Sequence, residues 1–130
     1  MTSEEVLLNE AIIAKIGFEL SNKFKAESKE DKKKMSRECI KALNILNEEG
    51  LFAYAIWLKS KNEYVHREII RSTKQILNEF KIVISERKEL HEMILDIADN
   101  LQKLLLAKQL VERMLIYADY RARALINEGD

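Results

Sequence analysis

The sequence predicts an all-α fold, a compact bundle of five or six helices forming a single domain over residues 1–130. Three observations lead there. The chain has no proline and only three glycines, so nothing divides it into units or imposes the tight turns of a sheet-rich fold. Apolar residues recur at helical spacing in segment after segment. Hydrophobic residues make up 47% and charged residues 34%; the charged share exceeds the usual quarter, as expected when many helices each show water a polar face. At 130 residues the chain has the size of one ordinary domain.

The elements follow in order. Thr2 and Glu5 have the spacing of a capping box, and Leu8, Ile12, Ile16 and Leu20, broadened by Leu7, Ala11 and Phe18, predict a first helix running to about Phe24. The polar stretch KAESKEDKKK offers Ser28 or Asp31 as the next N-cap, and Met35, Cys39, Ala42, Leu43 and Leu46 carry a second helix to Gly50. Gly50 is expected to end that helix in a left-handed conformation. The eight apolar residues Leu51 to Leu58 fit a buried strand or a buried helix equally well by periodicity. The other β-like segment is Ile82-Val83-Ile84, and pairing the two would leave a bare two-stranded ribbon, so a helix buried nearly all round is expected, with Trp57 largely inside. Ile69, Ile70, Ile76, Leu77 and Phe80 predict a further amphipathic helix. Ser85 and the run ERKELHEMILDIAD predict another that stops around Asn100, and Leu104, Ala107, Val111, Met114, Ala118, Ala122 and Leu125 predict a long last helix before Gly129.

Composition narrows the function classes. Twenty-two basic residues balance twenty-two acidic ones, so no net field marks a nucleic-acid or membrane binder, and any such role needs a local patch. The single cysteine, Cys39, excludes an internal disulfide and reads as a small buried hydrophobe beside Met35 and Leu43. The acidic start MTSEEVLLNE is unlike a secretory signal, and an apolar run of eight is too short to cross a bilayer, so the expectation is a cytoplasmic protein with no membrane partner. Two histidines, one cysteine and no glycine-rich phosphate loop leave little for catalysis. The best candidate is Glu63-Tyr64-Val65-His66, the Glu-x-x-His spacing of carboxylate metal bundles. Those bundles need the motif twice, and Lys88 stands three residues before His91. Glu63 is therefore read as charging a helix N-terminus and pairing with Arg67. No catalytic residue, metal, cofactor or small-molecule substrate is expected, and His91 is expected at the surface or its boundary.

Positive charge is clustered in two places. Lys23, Lys25, Lys29, Lys32, Lys33, Lys34, Arg37 and Lys41 are interleaved with acids, Glu30 and Lys34 having the order of a helix ion pair, and read as a solvated face or a mobile linker. Lys59, Lys61, Arg67, Arg71 and Lys74, followed by Asn78 and Lys81, fall at steps that keep them on the helix side opposite the apolar one. Such a stripe can follow a phosphate backbone without reading bases. An ordinary polar helix face would look the same.

Ala42-Leu43-Asn44-Ile45-Leu46, Glu49-Gly50-Leu51 and Ala55-Ile56-Trp57-Leu58-Lys59-Ser60-Lys61 together resemble the signature stretch of the small helical subunit of type III-B CRISPR-Cas RNA-targeting complexes, the Cmr small-subunit family. There a helix ends at a glycine, a short apolar helix follows, and an aromatic-Leu-Lys-Ser-Lys run closes it. The C-terminal MLIYADYRARAL resembles, more loosely, the family's last helix. The chain departs from the family pattern in lacking a proline before this region and in carrying Glu49 where an asparagine is common. The resemblance implies a subunit of antiviral defence without catalytic groups, stacking with copies of itself and other subunits beside guide RNA and target RNA. It makes Lys59, Lys61, Arg67, Arg71 and Lys74 the candidate RNA-backbone contacts. The alternatives from other classes are a helical adaptor or regulator without RNA affinity, and a metal carboxylate bundle centred on Glu63 and His66.

Overall fold

The computed structural model describes residues 3–23, 28–83 and 88–128, with side chains from Asn9 onward. Thr2, Phe24 and Ser85, each invoked above as a boundary, lie outside the described residues, as does the side chain of Glu5. The described residues form six helices and no strand, as the all-α expectation requires: α1 (Ser3–Asn22), α2 (Lys29–Glu49), α3 (Leu51–Lys61), α4 (Tyr64–Glu79), α5 (Leu90–Asp96) and α6 (Leu101–Glu128). Among them, no helix is long and apolar enough to cross a membrane.

α6 packs against α1, α2 and α4. Ser36 of α2 donates to Asp119 at 2.5 Å, and Cys39, Ile40 and Leu43 face Leu115, Ile116 and Tyr120, so α2 and α6 run antiparallel. On the other side, Arg113 of α6 donates to Glu10 at 2.7 Å, Ser21 to the Ala118 carbonyl at 2.5 Å and Arg121 to Asn22 at 2.9 Å. The numbers rise together, so α1 and α6 run parallel. Their approach is set by Gly17, whose missing side chain leaves the Met114 carbonyl 2.7 Å from where a Cβ would stand. Leu20, Met35, Leu46, Leu58, Ile69, Ile76, Leu77, Met114 and Leu115 are among the fully buried side chains of one continuous core.

Local chemistry explains the element ends. Ser28 is the N-cap of α2, its Oγ accepting the Asp31 N–H at 3.3 Å, which decides between the two cap candidates. Gly50 closes α2 with its N–H on the Ile45 and Leu46 carbonyls. Its φ of 100° and ψ of 175° place it in a region open essentially to glycine alone, rather than in the left-handed helical region expected. Asn62, at φ 50° and ψ 27°, is the left-handed cap that ends α3, a conformation asparagine tolerates better than most residues.

Two packing expectations are corrected. On α1 the buried face is Ile13, Ile16, Gly17, Leu20 and Ser21, while Ala11 and Phe18 are exposed, because α6 covers only the side that Gly17 opens. α3 is a helix, as expected, but not one buried all round: Leu51, Tyr54, Ala55 and Leu58 face the core, Phe52 and Ile56 face outward, and Trp57 is half-buried, its indole edge-on to His66 at 5.4 Å. A helix at the rim of a bundle has one covered side whatever its composition. Ile82 and Val83 form no strand, in line with the rejected two-stranded ribbon; they are buried beyond a turn in which the Ile82 N–H bonds the Leu77 carbonyl at 2.9 Å.

Candidate nucleic-acid interface

α4 carries two faces of opposite character. Val65, His66, Glu68, Ile69, Ser72, Thr73, Ile76 and Leu77 are buried, and the other side bears Arg67, Arg71 and Lys74. With Gln75, Asn78, Lys81 and one acid, Glu79, these line an open groove whose apolar contribution is Ile70. From Arg67 to Asn78 the helix rises about 16 Å, a length over which several phosphates of one strand could be followed.

The polar partners hold the groove's cations in place. Arg67 donates to the Asn62 carbonyl at 2.6 Å, tying it to the left-handed turn at the start of α4. Arg71 donates to Glu68 at 3.0 Å, and the other Glu68 oxygen takes Lys23, just past the end of α1, at 2.5 Å. The Glu68 side chain is only 4% exposed, so a buried carboxylate anchors a guanidinium whose head stays 70% exposed. Lys74 and Lys81 make no salt bridge among the described residues.

The five candidate RNA contacts are brought together only in part. Arg67, Arg71 and Lys74 share the groove. Lys59 meets Lys74 across a smaller cleft between α3, α4 and the start of α5, lined also by Ala55, Ile70, Leu90, Glu89 and His91. Lys61, exposed at the end of α3, lines neither and acts electrostatically on Glu63. The turn at Asn62 separates it from α4's stripe.

Lys59 is ion-paired to Glu89, whose other close partner is His91 Nδ1 at 3.3 Å. The Lys59 hydrogen bond, with the charges of Lys59, His91 and Lys74, holds the Glu89 carboxyl below its ordinary range. Sequence reasoning missed Glu89 as a member of this neighbourhood. It lies 30 residues from Lys59, and no local pattern links them. His91 is half-buried, at the boundary as expected, its ring edge-on to Phe52.

The first basic cluster is largely neutralised. Lys23 is taken by Glu68, Lys34 by Glu63 and Lys41 by Glu38 at 3.2 Å, while Lys33 stands 3.7 Å from Glu30; Lys25 lies outside the described residues. Two expected pairs are corrected here. Glu30 faces Lys33 rather than Lys34, and Glu63 pairs with Lys34 rather than Arg67, because Lys34 points across to the start of α4 and Arg67 turns back to Asn62.

Glu63 and His66 do not converge on a common point. The Glu63 carboxylate is at the surface on Lys34, whereas the fully buried His66 ring bonds Glu38 of α2, Nε2 to Oε1, at 2.7 Å. The group with metal-ligand spacing is instead Glu89, His91 and Glu92, whose donor atoms lie within 4.8 Å of one another. Glu89 is occupied by Lys59, and Glu92 accepts the Glu89 N–H at 3.2 Å as part of the α5 capping box, so a cation there would displace both. Cys39 is fully buried, and that burial, with Asp119 and Glu38 nearby, pushes its thiol far above the ordinary value; it is not a poised nucleophile.

No known protein family, curated protein or solved structure matches this chain.

Proposed function

We propose that this chain is a non-catalytic, cytoplasmic small subunit of a type III-B CRISPR-Cas effector complex, acting in antiviral defence by stacking with copies of itself and other subunits along guide and target RNA. The observation that carries the reading is the α4 groove, where Arg67, Arg71, Lys74 and Lys81, against the single acid Glu79, line one strip of a chain whose total charge is balanced. Backbone support needs cations held at fixed spacing and no base-reading groups, and the anchoring of Arg67 on Asn62 and of Arg71 on Glu68 supplies that. The resemblance over residues 42–61 supports the choice of complex.

Exposed large apolar side chains fit a subunit covered by protein neighbours. Leu95, Leu101, Leu105 and Leu106 at the α5–α6 end are each at least 44% exposed, and apolar surface concentrated in one region marks contact sites. The same surface favours the second reading, a helical adaptor that binds protein and no RNA.

The test uses the assembled complex, with Arg67, Arg71 and Lys74 changed together to alanine and helicity checked by circular dichroism. Affinity for guide-target RNA should fall by a similar factor for unrelated sequences, and the slope of log affinity against log salt should flatten by roughly 0.7 to 0.9 for each phosphate no longer neutralised. Unchanged affinity and slope would reject the groove as an RNA support and leave the adaptor reading.

A further inference from the structure

We propose that the cleft between α3, α4 and the start of α5 is a phosphate subsite in which Lys59, Lys74 and His91 are the donors and Glu89 is a built-in counter-ion that an incoming oxyanion displaces. The inference rests on the groove reading above and deepens it, naming where a backbone phosphate sits beyond the α4 strip and what must move to admit it.

The geometry points to an anion. Two lysines and an imidazole converge from three different helices on one small cleft with Ala55 and Leu90 among its walls. In the free chain the only acid lining it, among the described residues, is Glu89, which is ion-paired with Lys59 and 3.3 Å from His91 Nδ1. A carboxylate that neutralises Lys59 and touches His91 occupies the place a phosphate oxygen would take, since both are oxyanions seeking the same donors. Lys74 lines this cleft and the α4 groove alike, so a strand followed by Arg67, Arg71 and Lys74 reaches the cleft without leaving the protein surface. Glu89 is well suited to yield. It is half-exposed, and an exposed pair of this kind is weak enough for a polyanion to replace.

The displacement also has a structural reporter. Glu89 is the N-cap of α5 and its N–H is bonded to Glu92, so release of Lys59 changes the surroundings of the first turn of α5 and of His91. Substitution of Glu89 by glutamine keeps a side-chain oxygen for the cap while removing the charge that competes with phosphate.

The experiment compares wild type, Glu89→Gln, Glu128→Gln and the double variant Glu89→Gln/Lys74→Ala of the full chain. Glu128, paired with Arg121 near the end of α6, is a charge-matched control outside the cleft. Binding of a labelled 15-residue oligouridylate is followed across a salt series, and His91 ring resonances are followed as the oligouridylate or inorganic pyrophosphate is added. Glu89→Gln should bind the oligouridylate about two- to fivefold more tightly than Glu128→Gln, the scale of one surface ion pair released. Its salt slope should match that of Glu128→Gln, since the same phosphate is neutralised once Glu89 has yielded, and Lys74→Ala should abolish the gain. Both anions should move the His91 resonances. A gain no larger than that of Glu128→Gln, a gain that survives Lys74→Ala, or no binding by any variant overturns the proposal. A shift of His91 with pyrophosphate alone overturns its assignment to a nucleic-acid backbone and makes the cleft a site for free phosphates. If the triple groove variant loses RNA while Glu89→Gln behaves like its control, the groove reading stands and this inference fails.

Discussion

Replacing Gly17 by alanine sets two effects of known sign against each other. Within a helix, alanine is favoured over glycine by about 1 kcal/mol, so on propensity alone α1 should be strengthened. At this position a Cβ would lie 2.7 Å from the Met114 carbonyl oxygen, 2.9 Å from Tyr117 Cβ and 3.1 Å from the Ala118 nitrogen. Carbon contacts are comfortable at about 3.5 Å or more, and two of the three neighbours are backbone, which cannot swing aside. α1 and α6 must therefore part by nearly 1 Å. Overpacking of this kind costs about 1 to 3 kcal/mol. The same shift stretches the Ser21 bond to the Ala118 carbonyl, now 2.5 Å, a further loss of about 1 kcal/mol. The balance is a net loss of about 1 to 3 kcal/mol, read as a lower urea midpoint at unchanged slope by circular dichroism at 222 nm. A Gly17→Ala protein as stable as wild type, or more so, would show that propensity wins and that the close α1–α6 approach contributes nothing. Gly50→Ala separates the two ways a glycine can matter: no atom stands within 4 Å of its Cβ position, but φ is +100°, so any loss there, about 1 to 3 kcal/mol, comes from backbone strain alone.

Other outcomes follow from the buried polar groups. His66→Ala removes the ring that bonds Glu38, leaving only Lys41 to hold a nearly buried carboxylate; a loss of about 2 to 4 kcal/mol in urea unfolding is expected, and a loss below about 1 kcal/mol would contradict it. Burial pushes the Glu38 carboxyl up, but hydrogen bonds from His66 and Lys41 outweigh this and hold it below its ordinary 4.5. A depressed folded value means stability present above 4.5 and lost as pH falls through the folded value, so wild type should weaken below pH 4.5 and Glu38→Gln, less stable at pH 7, should show a shallower acid limb; parallel limbs would refute the assignment. Cys39 should resist thiol reagents until the chain unfolds, with labelling rates that track urea-induced unfolding, and rapid labelling of the native protein would show the α2–α6 contact to open locally.

What could be read from the residues was what repeats locally. Met35, Cys39, Ala42 and Leu46 share the spacing of one helix face and are all buried, and Arg67, Arg71 and Lys74 lie together because α4 is regular through them. Side-chain chemistry narrowed the cap of α2 to Ser28 or Asp31, and the structure selects Ser28. The misreadings fall where a distant partner decides. Leu51 to Leu58 is uniformly apolar, yet only the side toward α2, α4 and α5 is covered, which the run itself cannot indicate. Lys61 belongs to the same basic series as Arg67 by counting, but one left-handed asparagine between them breaks the register. The Glu38–His66 and Lys59–Glu89 pairs join residues 28 and 30 apart, separations at which neither periodicity nor motif carries information.

The pairing of α1 with α6 bears on how the chain acquires its shape during synthesis. Ser21 and Ala118 are 97 residues apart, so the face of α1 carrying Ile13, Ile16 and Leu20 has no α6 to rest on until that many further residues have been added. At about 5 to 20 residues per second, that helix waits for on the order of ten seconds. α2, α3 and α4, linked by short turns, can meet one another during that interval, but α2 and α4 also lack their side of α6. The nascent chain therefore presents uncovered apolar helix faces until α6 is made and can insert between α1 and α2.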